Sequence, residues 1–280
     1  MKYPRSRWAK GRPGIMIPVF FLSIFCNTTG QGYFPDARSM ALGNVSSISG
    51  SDGQHAQNPA SLGNKESNYF AAGHIRPFLL KEIGVTSLEG ILQASPGAFL
   101  VKISNYGITG YRIFQSDLVF GMNFSDKLSA GVSFSYYNTF TQDKWNYLWA
   151  VGPGAGLQYK LSAATALAVH LKNPVSFGNY SSFGPLLPSY ISTGISHKVY
   201  SNTILLTEIT YFAPDQLQFK TGIIYVADPS TFLRGGYHNN PHTLSFGSGH
   251  HFGNMVVDFA LTLSSIPGIT PAITLSYHPR

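Results

Sequence analysis

The sequence predicts an all-β chain: a membrane-spanning, antiparallel up-and-down β-barrel of about 14 strands with a short amino-terminal helical plug segment. Three observations carry that prediction. Only 11% of the 280 residues are charged, against about 25% in an average soluble domain. Apolar and small residues alternate at period two through most of the chain, in segments long enough for a tilted strand to cross a bilayer. After residue 30 no apolar run reaches the length of a membrane helix.

The amino terminus reads as a secretory signal. Lys2, Arg5, Arg7, Lys10 and Arg12 precede the apolar run Ile15 to Phe25, and small residues at Thr28 and Gly30 follow. The run contains Pro18 and is too short to span, so cleavage is expected near Gly30. Removing residues 1–30 takes five of the 19 basic residues and none of the 12 acidic ones, so the formal charge falls from +7 to +2. The basic balance therefore belongs largely to the signal, and nucleic acid is not an expected partner. The single cysteine, Cys26, lies inside the signal, preceded by Phe25 where an acylated cysteine normally follows a small residue.

Residues 31–66 form the expected plug. Asp36 can cap a helical turn over Ala37 to Leu42, which Gly43 and Asn44 would stop in left-handed geometry. A second turn starts at Asn58, with Pro59 at its first helical position. Capping alone accounts for Asp36, and Arg38 is expected to be solvated. The alternative is that Asp36 and Arg38 hold the plug against luminal charges such as Lys220 and Asp258, gating a passage.

The barrel is expected over residues 67–280. Its clearest hairpin joins Leu118, Phe120, Met122 and Phe124 to Leu128, Ala130, Val132, Phe134 and Tyr136, across a turn at Ser125 to Lys127. Phe99, Val101 and Ile103 alternate with Leu100, Lys102 and Ser104. Leu157 and Tyr159 oppose Gln158 and Lys160, and Leu167, Val169 and Leu171 oppose His170 and Lys172. Ile204 and Leu206 blur the face of the strand around Leu205 and Ile209. Leu217, Phe219 and Ile223 oppose Lys220, Val257 and Phe259 oppose Asp258, and Ile273, Leu275 and Tyr277 end the chain. Ile83 to Leu92 and Tyr111 to Gln115 are expected as further strands. The polar faces carry Gly, Ser, Thr and Ala with Lys102, Lys160, His170, Lys220 and Asp258, which suits a narrow, partly filled lumen. A soluble sandwich would turn Lys and Glu to water on that face.

No catalytic constellation emerges, and no metal or cofactor is expected. His250 and His251 are adjacent and point to opposite faces of a strand. His238 and His242 flank a turn-like Asn239-Asn240-Pro241, read as an ordinary polar loop. No G-x-S-x-G elbow is present.

The segment Phe34-Pro-Asp-Ala-Arg-Ser-Met-Ala-Leu-Gly-Asn44, followed by Asn58-Pro-Ala-Ser-Leu62, resembles the amino-terminal signature of the PorV/PorQ group of outer-membrane barrels, relatives of the FadL-type transporters. Leu79 to Ile83, Leu233 to Gly236 and the ending Thr270 to Tyr277 are similar to the same group. The resemblance implies a monomeric outer-membrane barrel of a Gram-negative bacterium, in contact with outer-membrane lipid. It implies first an accessory or docking role beside secretion or surface-assembly proteins, such as type IX secretion. As an alternative it implies a FadL-like diffusion channel for hydrophobic small molecules. An outer-membrane lipid-modifying enzyme is the remote alternative, apart from the resemblance.

Overall fold

The structure is a computed structural model that describes residues 35–49, 57–64, 67–108, 110–141, 148–179, 187–265 and 268–279. The expected signal peptide, with Cys26 and Gly30, lies outside the described residues. A short helix α1 (Ala37–Ala41) and a 3-10 turn (Pro59–Asn64) precede the strands β1 (Tyr69–Ile75), β2 (Gly84–Ala94), β3 (Gly97–Ile108), β4 (Tyr111–Asn123), β5 (Leu128–Thr141) and β6 (Leu148–Lys160). Then come β7 (Thr165–Lys172), the two-residue β8 (Phe177–Gly178), β9 (Tyr190–Tyr200), β10 (Thr203–Phe212), β11 (Gln216–Asp228), β12 (Thr231–Asn239), β13 (His242–Phe252), β14 (Met255–Ser264) and β15 (Ile269–Tyr277).

Every ladder is antiparallel, and β1 pairs with β15, Phe70 opposite Tyr277, so the sheet closes on itself. Setting aside β8, fourteen strands make the wall. Closure pairs the first strand with the last, as a sheet in lipid requires. One end carries the tight turns, as at Gly253 and Asn254, together with the start of β1 and the end of β15. The other carries longer connections, among them residues 76–83.

Alternation sorts the side chains. On β4, Leu118 is 53% exposed whereas Val119 is 7% exposed, and the same alternation runs around the wall, so the outside is an apolar belt. Aromatic residues cluster at both of its margins. Phe124, Tyr159, Tyr200, Tyr225, Phe252 and Tyr277 lie toward the turn end, and Phe114, Phe140, Trp149, Phe177 and Tyr211 toward the loop end. This is the surface of a barrel that sits in a bilayer, with aromatic girdles at the two interfaces.

Two expectations need correction. Tyr111 to Gln115 is not a separate strand: it is the first half of β4, which runs through Asn123. The outward row there reads Arg112, Phe114, Ser116, Leu118, and the two polar members interrupt the apolar pattern. Ile204 and Leu206 do not blur the face of β10; both point inward, where they are 4% and 0% exposed and pack with Leu42, Val45 and Ile48.

Candidate functional site

The plug is a hoop. Its described pieces follow the inner wall around the whole circumference and return to β1. The Ala37 amide donates to the Thr274 hydroxyl on β15 at 3.0 Å, and Ala41 lies against Gly247 on β13. Leu42 presses on Gly222 of β11 and Gly43 on Gly236 of β12, while Ser47 and Ile48 press on Gly194 of β9. Asn58 then touches Gly156 of β6, and Pro59 reaches Gly131 of β5 and Gly121 of β4. Leu62 closes the circle among Tyr69, Ala71, Ile91, Ala98, Leu100 and Val119 on β1 to β4. At each of these glycines a Cβ would overlap hoop or wall atoms, so the inward glycines make room for a second layer of backbone.

Polar knots pin the hoop. Asp36 caps α1 by accepting from the Ser39 amide at 2.8 Å, and α1 stops at Gly43 (φ 67°) and Asn44 (φ 60°). Arg38 is not solvated, contrary to expectation: it is 4% exposed, with Nε 3.3 Å from both Asp36 and Asp258. These are ionic contacts rather than aligned hydrogen bonds. Its Nη2 donates to the Tyr69 hydroxyl and lies 3.5 Å from Ser276 Oγ. Asp258 is shared with Arg234 at 2.7 Å. Burial pushes the Asp36 carboxyl up, but Arg38, Lys102 and the Ser39 donors outweigh it and hold Asp36 below the usual carboxylate range.

A second knot centres on Glu208 of β10, fully buried. Its carboxylate accepts from the Ser46 and Ser47 amides at 2.7 and 2.6 Å and from the Ser47 hydroxyl at 2.7 Å. It also takes Thr210 Oγ1 at 2.8 Å and pairs with Lys220 at 2.8 Å. In the third knot the Asn58 amide nitrogen donates to Ser47 O at 2.9 Å and to the wall carbonyl of Val169 at 3.0 Å. It thereby ties the hoop's two pieces to each other and to β7.

Beyond the hoop, toward the loop end, Ile75, Val85, Ile113, Tyr137, Ala150 and Leu187 form an apolar cluster that continues to Met40 of α1. Beside it Asp117 binds Lys172 at 2.8 Å, with Gln115 and the Ser135 hydroxyl as further donors. Among the described residues the β7–β9 ladder stops at this height. β7 ends at Lys172, paired with Tyr190, because Asn173 turns into left-handed geometry (φ 47°) and Pro174 cannot donate to a ladder. β8 resumes pairing with β6, Phe177 opposite Val151. Among the described residues no ladder joins β8 to β9. A side chain bridges instead, Asn173 Nδ2 to Pro188 O at 3.1 Å.

The residues singled out from sequence fall as follows. Lys102, His170, Lys220 and Asp258 face inward, Lys102 beside Glu89 at 3.8 Å. Lys160 does not line the lumen: it is exposed at the turn end of β6, where the wall runs out. Asp36, Arg38, Gly43, Asn44, Asn58 and Pro59 all belong to the hoop. His238 is not in a surface loop but buried inside on β12, whereas His242 points outward onto Tyr237, so the two cannot share an ion. No three His, Cys, Asp or Glu group as a metal site among the described residues. Glu208, Asp117 and Glu89 went unnoticed because each is an isolated acid in an alternating strand.

No family model and no curated protein matches the sequence. The fold matches solved structures. The Pseudomonas putida toluene transporter TodX superposes with a TM-score of 0.66 over 89% of this chain and 98% of its own, at 13% identity. The monoaromatic hydrocarbon channel CymD gives 0.59 over 80% and 91%, at 15% identity. A Pseudomonas aeruginosa FadL homologue gives 0.51 over 79% and 92%, at 9% identity. Likeness at these identities establishes the fold, a barrel of the outer-membrane channel type. It lends no support to PorV/PorQ membership or to a part in type IX secretion.

Proposed function

We propose that this protein is a non-catalytic diffusion channel of the bacterial outer membrane, passing small apolar molecules from the outer loops into the membrane through the break between β8 and β9. The observation that carries the reading is the conjunction of that break with the hoop. The hoop fills the lumen where a straight aqueous path would run, and among the described residues no ladder joins β8 to β9 beside the apolar cluster just beyond it. An apolar molecule that reaches the cluster has lipid, not water, as its next low-energy environment. Fold likeness to barrels described as hydrocarbon channels supports the same reading over a docking role in secretion, and so reverses the order expected from sequence. The short turns at the opposite end support a periplasmic position for it, by the general architecture of such barrels.

The test is uptake of phenylnaphthylamine, which fluoresces in lipid, by cells with an intact lipopolysaccharide layer. Cells carrying the protein take it up faster than cells without it and gain no permeability to sucrose. Equal uptake by both refutes the channel, and a gain in sucrose entry refutes the closed lumen.

A further inference from the structure

The lumen beside the wall break holds buried polar groups that the protein leaves unused. His170 on β7 is 0% exposed, and neither ring nitrogen has a hydrogen-bond partner. Directly across the ladder is Ser192 of β9, 1% exposed, with its hydroxyl also unpartnered. Ser133 and Tyr137 of β5 add two more buried, unpartnered hydroxyls. Between β5 and β7 the wall carries Gly154 opposite Ser133, whose hydroxyl lies over it, and Gly156 opposite His170, under Asn58 of the hoop. Tyr190, from the last pair before the break, meets the His170 ring edge-on at 5.5 Å and Phe212 at 5.1 Å.

Orphaned polar atoms in a buried site cost about 1–3 kcal/mol each, so a ligand that satisfies them gains what the empty protein lacks. The groups are of one kind. An imidazole, a serine hydroxyl and a tyrosine hydroxyl each both donate and accept. The charged groups, in contrast, are spoken for. Each buried cation among the described residues lies within 4 Å of a carboxylate: Lys172 of Asp117, Lys220 of Glu208, Lys102 of Glu89, and Arg38 and Arg234 of Asp258. A carboxylate head would enter desolvated, with no uncommitted cation, and would face Asp117 and Glu208.

We infer that the lumen beside the break selects apolar molecules carrying a neutral hydroxyl head, such as phenols and alcohols, over bare hydrocarbons and over carboxylates. This rests on the channel reading and names its ligand class. His170 and Ser192 take the hydroxyl, and the aromatic rings of Tyr190 and Phe212 take the apolar body.

Naphthalene, naphthol and naphthoate share a ring system and differ in the head. Their binding is measured at neutral pH by equilibrium dialysis against the full-length protein in lipid nanodiscs, with empty discs subtracted. Naphthol is expected to bind about five-fold more tightly than naphthalene, the worth of one net hydrogen bond. Naphthoate is expected to bind at least about 100-fold more weakly than naphthol, the penalty of an unpaired buried charge. In His170→Phe the naphthol advantage disappears, and Ser192→Ala, which leaves the imidazole in place, reduces it. Naphthoate binding as well as naphthol overturns the inference, as does naphthol binding no better than naphthalene or an advantage that survives both substitutions. Failure of all three compounds to bind overturns the channel reading with it.

Discussion

Glu208→Ala is the sharpest perturbation of the hoop. The carboxylate accepts two backbone amides of the hoop and the Ser47 hydroxyl, and it faces the Lys220 ammonium at 2.8 Å. Hydrogen bonds to a charged group contribute about 1.5–3 kcal/mol each, though neighbours in one network do not add. Truncation also leaves the Lys220 ammonium, 4% exposed, buried without this carboxylate, and breaking a buried pair from one side costs about 3–5 kcal/mol. The hoop's attachment is therefore expected to weaken by about 3–5 kcal/mol, which raises the detached population by about 100- to 5,000-fold. A 14-strand barrel with ordinary spacing and tilt has a backbone radius of about 14 Å, so a lumen relieved of its hoop admits hydrated ions. Single-channel recording in planar bilayers reads this directly: wild type stays closed, Glu208→Ala shows stepwise openings, and Glu208→Gln, which keeps an acceptor oxygen, falls between. A closed Glu208→Ala barrel with an unchanged urea midpoint refutes the assignment of Glu208 as the hoop's anchor.

Three further outcomes follow from the geometry. Gly236→Ala drives a methyl into the Gly43 backbone, whereas a Cβ at the neighbouring, outward Gly235 meets nothing closer than 3.5 Å; protease cleavage of the hoop in folded barrels rises in the first variant and stays at wild-type level in the second. Leu118→Arg puts a cation at mid-strand on the lipid face and costs about 2–4 kcal/mol, while Phe124→Arg at the turn-end girdle costs about 0–1, both read by urea unfolding in vesicles. Asp36 titrates below its ordinary value of 3.8, so its contribution is complete above that pH and is lost only as the pH falls through the depressed folded value. The hoop thus stays closed between pH 7 and 5, and Asp36→Asn brings to neutral pH the loosening that wild type shows only in strong acid, measured as channel openings.

What was legible in the sequence is what alternation encodes. Leu118 out and Val119 in follows from period two, and so does most of the wall; the cap at Asp36 and the turn opened by Asn58 and Pro59 follow from local turn chemistry. What was not legible depends on contacts across the lumen. Arg38 looks like a solvated helix residue until β14 brings Asp258 beside it, 220 positions along the chain. Ile204 and Leu206 break an apolar-out pattern because the inside of this wall meets hoop side chains instead of water. The glycines of the polar faces read as small luminal residues, yet Gly121, Gly131, Gly222 and Gly236 are sites where hoop backbone touches the wall. The wall break did leave a local signal, the Asn173-Pro174 pair, which seldom continues a strand, but its meaning needed the ladder of β8.

The channel account stands on that break, and closing it tests the account most directly. Asn173→Val with Pro174→Thr replaces a left-handed residue and a missing donor by two β-formers, so that β7 can run on toward β8 and pair with the segment that precedes β9. A gain over wild type in amide exchange protection at residues 173–178 confirms that the ladder has formed, and the shift of the folded barrel on unheated gels confirms that it is intact. In such cells phenylnaphthylamine uptake is predicted to fall to the level of cells without the protein. Undiminished uptake through a folded barrel with a closed wall would contradict the lateral path and, with it, the central claim.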